Sequence, residues 1–564
     1  MYTAGKPFCR GWPEQGYSYG IMKWGILSAH PQQGYSLLSK IVYRILLPVL
    51  AMLAAPVLAS ESGDLSPFAD LASYCPAEHA GFSATPVGRE QVQEYYRQLD
   101  GQLQWQAVAR REQLRALLEN LRHDGLQPSR YLQGLLQAER DHHPGICLDA
   151  AISHGYLLAL HDLENGALAQ AGVEPYWVDP GARLKPATGA VELALRGRDD
   201  LAQAFIDARP SQALYGQLRE QLRNGALLNQ TDWGTLPSGK SLRAGNRDAR
   251  VPALRERLER GGYLPAAARV EEGAASDDLY GEELEEAVRA FQRDHYLEDD
   301  GIIGPATLRE LNVTRQQRLT QIRVNLERLR WLEKYYEPRM LIVDIAGARL
   351  MYLEDSMVVW RTRTQVGTQN RQTPLLKSRI THLTMNPTWT VPPTIFRKDK
   401  LPAIRNDLGY LRRSRMQVLD AGGRVLDPAT VDWSAPGNIM LRQAAGPDNA
   451  LGRVAIRFAN PFAVYLHDTP SQHLFGRATR NVSSGCVRVE GVQRLLDLLA
   501  RDDDTRKRIG QLLDSGQTRQ VNLAEPTPVL LAYWTVEVDA DGLLRFRADS
   551  YGHDRQVAAA LEQL

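Results

Sequence analysis

Met340-Leu-Ile-Val-Asp-Ile345, Arg349-Leu-Met-Tyr-Leu353, Met357-Val-Val-Trp360 and Arg361-Thr-Arg-Thr-Gln-Val366 follow one another with glycine or acidic turns between them. Short runs rich in β-branched and aromatic residues, separated by turn residues, predict successive strands. Residues 338–564 are therefore expected to be a β-rich domain, continued by Val454–Phe458 and Ala463–Leu466. Pro528-Val-Leu-Leu-Ala-Tyr-Trp534 and Leu543–Arg547 predict a late hairpin around Asp539-Ala-Asp-Gly542 that returns to the same sheet. Residues 396–445 interrupt the strands with Phe396-Arg-Lys-Asp-Lys-Leu-Pro402, a basic run Tyr410–Arg415, and Asp432-Trp433. An insertion this long inside a β domain is disordered or functional, and its helical and aromatic content favours a folded lid.

Upstream, the period changes. Residues 314–337 read as a charged connector helix, Arg318–Tyr336. Residues 247–313 form a small unit. Val251, Leu254 and Leu258 share a helix face, then come Gly261-Gly-Tyr-Leu264, a helix Glu282–Gln292, Asp300-Gly-Ile-Ile-Gly-Pro305 and a last helix Ala306–Leu311. Leu236–Gly245 is a candidate linker. Residues 60–240 look helical, with apolar residues at helical intervals over Glu90–Leu121, Tyr131–Leu136 and Ile152–Leu168 and a break at Asp124-Gly125 and Pro128-Ser129. No catalytic constellation lies there. His142-His143 resembles a metal pair, but adjacent residues do not share a helix face, so a solvated loop is expected.

The chain of 564 residues is too long for one core. Its 43% apolar and 24% charged content is that of an ordinary globular protein, and a net charge of +1 does not point to nucleic acid. Lys40 and Arg44 precede the apolar run Ile45–Leu58, with Val57 and Ala59 at the −3 and −1 positions of a signal-peptide cleavage site. Residues 1–59 therefore read as a leader and secretory signal, with Met22 an alternative start. The run is short for a bilayer span and carries Pro48 and Pro56, so membrane contact is expected only through an uncleaved leader. Cleavage after Ala59 leaves 62 basic and 65 acidic residues, a net of −3. Of the four cysteines, Cys9 leaves with the leader, and an oxidising compartment would permit Cys75 and Cys147 to pair. Two buried free thiols fit the sequence equally well. Cys486 is an odd thiol.

Chemistry concentrates in Val464-Tyr-Leu-His467-Asp468-Thr-Pro470, His473-Leu-Phe475 and Val482-Ser-Ser484-Gly485-Cys486-Val-Arg488-Val489. Thiol attack on a carbonyl needs a base, a group that orients the base, and donors facing the developing oxyanion. His467 can be the base and Cys486 the nucleophile. The turn Ser484-Gly485-Cys486 offers successive backbone N–H groups, with no side chain at Gly485 to block a substrate. His473 competes as a base, although its place in a loop favours a substrate-facing or exposed role. Arg488 could clamp a carboxylate or form a surface ion pair. Trp389 and Tyr465 could line a cleft or pack in a core.

These stretches resemble the L,D-transpeptidase catalytic domain of the YkuD type, whose signature is a histidine, a spacer of about fifteen residues and Ser/Thr-His-Gly-Cys. Here His467 is followed by Ser483-Ser484-Gly485-Cys486, with Ser484 replacing a second histidine. Residues 247–313 resemble the three-helix peptidoglycan-binding domain, through Ala287-Val288, Phe291-Gln292 and Gly304-Pro305-x-Thr307. Asn386-Pro-Thr-Trp389-Thr-Val-Pro-Pro393 and Gly446-Pro-x-Asn449-Ala-Leu-Gly452 are similar to the large periplasmic subgroup of Gram-negative bacteria. The resemblance implies an α+β multidomain protein with a helical scaffold, a three-helix domain and a β-sandwich-like catalytic domain bearing an inserted lid. It further implies acylation of Cys486 by a tetrapeptide stem, release of D-alanine, 3→3 cross-links, trapping by carbapenems and no metal or organic cofactor. It gives the backbone carbonyl of Asp468 the task of orienting His467. Peptidoglycan is the implied partner, with cell-wall synthases as candidates and no nucleic acid. A hydrolase on the same scaffold and a wall-anchoring protein without activity are the rivals. A papain-like peptidase would run Cys before His along the chain, the reverse of the order here. N-terminal sequencing of exported protein should begin near Ser60, and an intact Lys23-Trp24 on the mature chain would instead indicate a membrane anchor.

Overall fold

The computed structural model describes Leu71, Cys75 and residues 85–141, 145–229, 233–265 and 278–564. The expected leader and the His142-His143 pair lie outside them. In chain order the strands are β1 (Trp177–Val178), β2 (Met340–Asp344), β3 (Arg349–Glu354), β4 (Met357–Gly367), β5 (Leu376–Met385), β6 (Trp389–Thr390), β7 (Met416–Leu419), β8 (Val425–Leu426), β9 (Met440–Gln443), β10 (Val454–Phe458), β11 (Leu466–His467), β12 (Asn481–Ser483), β13 (Val487–Val489), β14 (Arg519–Ala532), β15 (Val536–Val538) and β16 (Leu544–Phe546). The pairings run β5-β10-β11-β13-β4-β3-β2-β14, and β14 also pairs with β5. The two-layered β domain is thus a closed circuit, which removes the open edges of a simple sandwich. β14 can serve two neighbours because it is long and its register against β5 shifts between Asn522 and Thr527.

Alternation decides what faces inward. Leu341, Val343, Leu350, Ile380, Ile456, Leu466, Val487, Val489, Val529 and Leu531 fill the interior. The intervening Met340, Ile342, Leu530 and Ala532 pack outward against the helix Arg315–Glu333. Burial on both sides explains why residues 340–343 of β2 read as an unbroken apolar run. β5 has no such signature. Its Lys377 is buried, donating to the Tyr335 carbonyl at 2.8 Å and pairing with Glu337 at 2.7 Å. The expected late hairpin forms, but β15 and β16 make a separate two-stranded ribbon and only β14 joins the large circuit.

The helix Arg315–Glu333 departs most from its sequence reading as a connector. It starts with a capping box in which Thr314 Oγ1 accepts from the Gln317 N–H at 3.2 Å and Gln317 Oε1 from the Thr314 N–H at 2.8 Å. Beyond its first turns it is buried on every side. Ile322, Leu326, Leu329 and Leu332 face the β domain, while Val324 and Trp331 meet Val557 and Leu561 of the helix His553–Leu561. Its charges are buried with it. Arg330 pairs with Glu327 at 2.6 Å, and Arg328 is held by Glu174 at 2.7 Å and by Asp554. A charged sequence can thus lie in a core when each charge has a fixed partner.

The scaffold helices include Arg89–Gln98, Val108–Asn120, Gln133–Asp141 and Ile146–Asn165. The apolar pattern over Glu90–Leu121 is divided at Asp100-Gly101, both at positive φ (51° and 72°). Ile146–Asn165 is buried almost throughout rather than amphipathic. It can be so because Gly155 and Gly134 allow neighbouring backbones to touch: a Cβ on Gly155 would sit 2.3 Å from the Tyr131 carbonyl oxygen. A disulfide joins Cys75 to Cys147, with Cα atoms 5.3 Å apart.

In the small domain, helices Val251–Arg260, Glu282–Asp294 and Pro305–Leu311 pack around Leu254, Leu258, Leu284, Val288 and Phe291. Gln292 is its internal staple, bonding the Gly301 N–H at 2.9 Å, the Ile302 carbonyl at 3.0 Å and Thr307 Oγ1 at 3.1 Å. The insertion is folded. β6, β9, β7 and β8 form its own sheet, and Trp389, Phe396, Leu401, Ile404, Leu411, Val418 and Leu441 its own core. It therefore begins at β6, upstream of the expected residue 396.

Glu327→Ala should leave the Arg330 guanidinium buried without its carboxylate, at a cost of about 3–5 kcal/mol. Thermal unfolding should show a lowered midpoint for this variant and a smaller drop for Glu327→Gln, which can still accept from the Leu168 N–H. Equal midpoints for wild type and Glu327→Ala would remove the ion pair from any role in stability.

Candidate functional site

Two very short strands build the site. β11 and β13 pair in parallel, Leu466 with Val487 and His467 with Arg488. Leu466 and Val487 point into the core with no measurable exposure. The period of two then places Tyr465, His467, Cys486 and Arg488 together on the opposite face. β10 adds a third row, because Ala455 pairs with His467 and Arg457 lies two residues further on the same face. The Arg457 guanidinium stacks 3.8 Å above the Tyr465 ring, whose centroid is 5.6 Å from that of His467. Tyr465 is thus at the site, half-buried.

His467 is 4% exposed, and its Nδ1 is 2.5 Å from the carbonyl oxygen of Asp468. A carbonyl only accepts, so Nδ1 carries the proton and Nε2 keeps its lone pair. The Asp468 side chain is turned away from the imidazole, its Oδ2 accepting from the Arg453 N–H at 2.9 Å. Burial, assisted by the Arg488 charge, pushes the imidazole down to about 3. Cys486 is the free cysteine among the described residues, with Sγ 3.9 Å from the Ala463 carbonyl oxygen. Burial pushes its thiol up, against the Tyr465 backbone contact and the Arg457 and Arg488 charges. The resting pair is therefore a neutral thiol beside a neutral imidazole.

The turn before Cys486 is held by its own hydroxyls. Ser483 Oγ donates to the Cys486 carbonyl at 2.6 Å and accepts from the Gly485 N–H at 3.1 Å. Thr373 Oγ1 donates to the Gly485 carbonyl at 2.9 Å. The Gly485 N–H, expected as an oxyanion donor, is thus already engaged. The amides of Ser484 and Cys486 have no acceptor among the described residues. Gly485 contributes its conformation instead, with φ of +115°.

The remaining expected residues divide. Arg488 Nη1 donates to Gln365 Oε1 at 2.9 Å, and its buried Nε has no partner, so it is a cation beside the thiol and not part of a surface ion pair. Trp389 belongs to the core of the insertion, 9% exposed with Lys400 Nζ 5.7 Å from its ring, so packing explains it. His473 is exposed on the turn Gln472–Gly476 and shares no hydrogen bond, ion pair or ring contact with the site. Arg457 and Arg371 were not anticipated. An arginine alternating with apolar residues in Val454–Phe458 was the available signal for Arg457; Arg371 lies in a loop with none. No helix of the described residues is long and apolar enough to cross a membrane.

Residues 338–517 match the L,D-transpeptidase catalytic domain, residues 90–222 the scaffold domain, and residues 247–311 the "Putative peptidoglycan binding domain". Residues 338–517 are an L,D-transpeptidase catalytic domain, carried with a scaffold domain and a peptidoglycan-binding domain in an α+β multidomain chain. A Haemophilus influenzae protein named "Putative L,D-transpeptidase" is 34% identical over 258 residues, 45% of this chain and 51% of that protein. The chain thus spans about half the length of the curated relative it matches. Among solved structures, the L,D-transpeptidase from Mycobacterium smegmatis is 14% identical over 35% of this chain and 58% of its own, with a TM-score of 0.18. That of Xylanimonas cellulosilytica is 17% identical over 52% and 99%, with a TM-score of 0.15. Scores this low add nothing to the family match.

Iodoacetamide labelling of Cys486 should rise along a single alkaline limb, above about pH 8.5. Arg488→Gln should move that limb further up by removing a charge that favours the thiolate. A labelling limb at pH 5–6 would mean a preformed thiolate–imidazolium pair.

Proposed function

We propose that this protein is an exported L,D-transpeptidase that joins peptidoglycan stems by 3→3 cross-links through an acyl-enzyme on Cys486. The observation that carries this reading is the Nδ1–H of His467 held by the Asp468 carbonyl, which leaves Nε2 as a base on the face it shares with Cys486. Cys486 gives its proton to His467 as Sγ attacks the carbonyl of the third stem residue, diaminopimelate. Since thiol and imidazole both rest neutral, proton transfer accompanies attack. Arg457 and Arg488 stabilise the sulfur as it gains charge, and the Ser484 and Cys486 amides face the oxyanion. His467 then returns the proton to the departing amine of D-alanine. An acceptor amine attacks the thioester, losing its own proton to His467, which passes it to the sulfur as the C–S bond breaks and Cys486 returns to the thiol. No step draws on a metal or an organic cofactor.

Export is supported by the Cys75–Cys147 disulfide, since such bonds persist in oxidising compartments, and by the signal-like Lys40–Ala59. The periplasm is the compartment this implies. The match over 247–311 supports peptidoglycan as the partner, and the folded insertion beside the cleft is read as a lid over the donor stem.

Purified protein incubated with disaccharide tetrapeptides should give 3→3-linked dimers and free D-alanine by mass analysis. Cys486→Ala should abolish both and should not be acylated by a carbapenem. His467→Ala should slow acylation by about a hundredfold. Release of D-alanine or of tripeptide without dimers would replace transfer with hydrolysis, and turnover by Cys486→Ala would remove the nucleophile.

A further inference from the structure

Beside the nucleophile turn lies a cleft of about 510 Å³, lined by Thr368, Asn370, Arg371, Lys398, Asp399 and the turn residues Val482–Ser484. Its backbone is rigidly fixed. A Cβ on Gly367 would sit 2.1 Å from the Arg371 carbonyl oxygen, so the loop 368–373 folds directly onto that glycine. Thr373 fastens the loop to both sides, accepting from the Gly367 N–H at 2.9 Å and donating to Gly485. Tyr551 donates to the Gly367 carbonyl at 2.6 Å and accepts from the Thr373 N–H at 3.2 Å. Arg371 therefore projects from a loop built into the Cys486 turn.

Its side chain is held differently. Arg371 Nη1 and Nη2 each donate to one oxygen of Asp399 at 2.6 Å, a bidentate fork, and Nη1 also donates to Ser484 Oγ at 2.9 Å. Asp399 belongs to the short helical turn Phe396–Lys400 of the insertion. Both side chains reach solvent, at 25% and 37% exposure, so a competing carboxylate can replace Asp399 without opening a core. Lys398 lines the same cleft and offers a second cation.

We propose that Arg371 is the receptor for the donor's terminal carboxylate, and that Asp399 occupies it as an internal stand-in when no donor is bound. This rests on the proposed transpeptidase reading. On a tetrapeptide stem the terminal carboxylate lies one residue beyond the carbonyl that Cys486 attacks, and the Arg371 fork bonds the residue two before Cys486. A planar fork already paired with one carboxylate has the geometry for another. Donor binding then exchanges one Arg371 partner for another and frees the insertion from the Cys486 turn. The receptor selects a free acid over an amide.

The test uses Cys486→Ala protein, which binds without turnover, and two probes: a synthetic tetrapeptide stem and its C-terminal amide, compared by calorimetry. The acid should bind about tenfold more tightly than the amide, the scale of one charge-assisted pair. Arg371→Gln should abolish that preference while leaving amide affinity and the melting midpoint unchanged. Asp399→Asn should tighten the acid severalfold and leave the amide alone, because a competitor has been removed. Equal binding of acid and amide, equal loss of both in Arg371→Gln, or weaker acid binding in Asp399→Asn would each overturn the receptor. Carbapenem acylation of Cys486 in the otherwise unaltered protein separates the two readings. With acylation intact, those failures strike the receptor alone; if acylation and all peptide binding are absent, the proposed function falls with it.

Discussion

The parallel pairing of β11 with β13 is the constraint on which the chemistry rests. Each strand is two or three residues long, yet each has a core residue without measurable exposure that fixes its direction, Leu466 in one and Val487 in the other. Once those two point inward, Tyr465, His467, Cys486 and Arg488 must share the outer face. A slip of one residue would bury Arg488 and turn Val487 to solvent. The catalytic geometry is thus enforced by apolar burial on the far side of the sheet, from residues that take no part in any reaction.

That arrangement was partly legible in the sequence. His467 and Cys486 could be picked out because each adjoins an apolar run, and the strands of 340–366 because their alternation is plain. The orienting carbonyl is a backbone group beside His467, so its role leaves no side-chain signature. β5 was hidden because its buried Lys377 and Ser378 are stabilised by partners remote in sequence, at Tyr335 and at the Ala459 carbonyl, 2.7 Å from Ser378 Oγ. Trp389 could be read as a cleft or a core residue, because a tryptophan near a motif fits either place; only the packing of the insertion distinguishes them. The engaged Gly485 amide was equally hidden, since it depends on where the Ser483 hydroxyl points.

Electrostatics at the site are set by removal from water more than by charge. Burial is the leading cause at both His467 and Cys486, and it moves them in opposite directions, each toward its neutral form. The guanidiniums of Arg457 and Arg488 act against this at the sulfur and with it at the imidazole. Such a site keeps the half-buried Cys486 as a thiol at rest, and a thiol reacts with oxidants more slowly than a standing thiolate would.

Arg328 has a consequence for the order in which the molecule is completed. Its guanidinium is enclosed by Glu174 from the scaffold and Asp554 from the helix His553–Leu561, segments separated by most of the described chain. A chain that has reached the β domain but not Asp554 offers this cation one of its two carboxylates, with Trp331 and Val324 lacking the apolar cover of Val557 and Leu561. The seating of the scaffold on the helix Arg315–Glu333 is therefore complete only once the helix His553–Leu561 is in place.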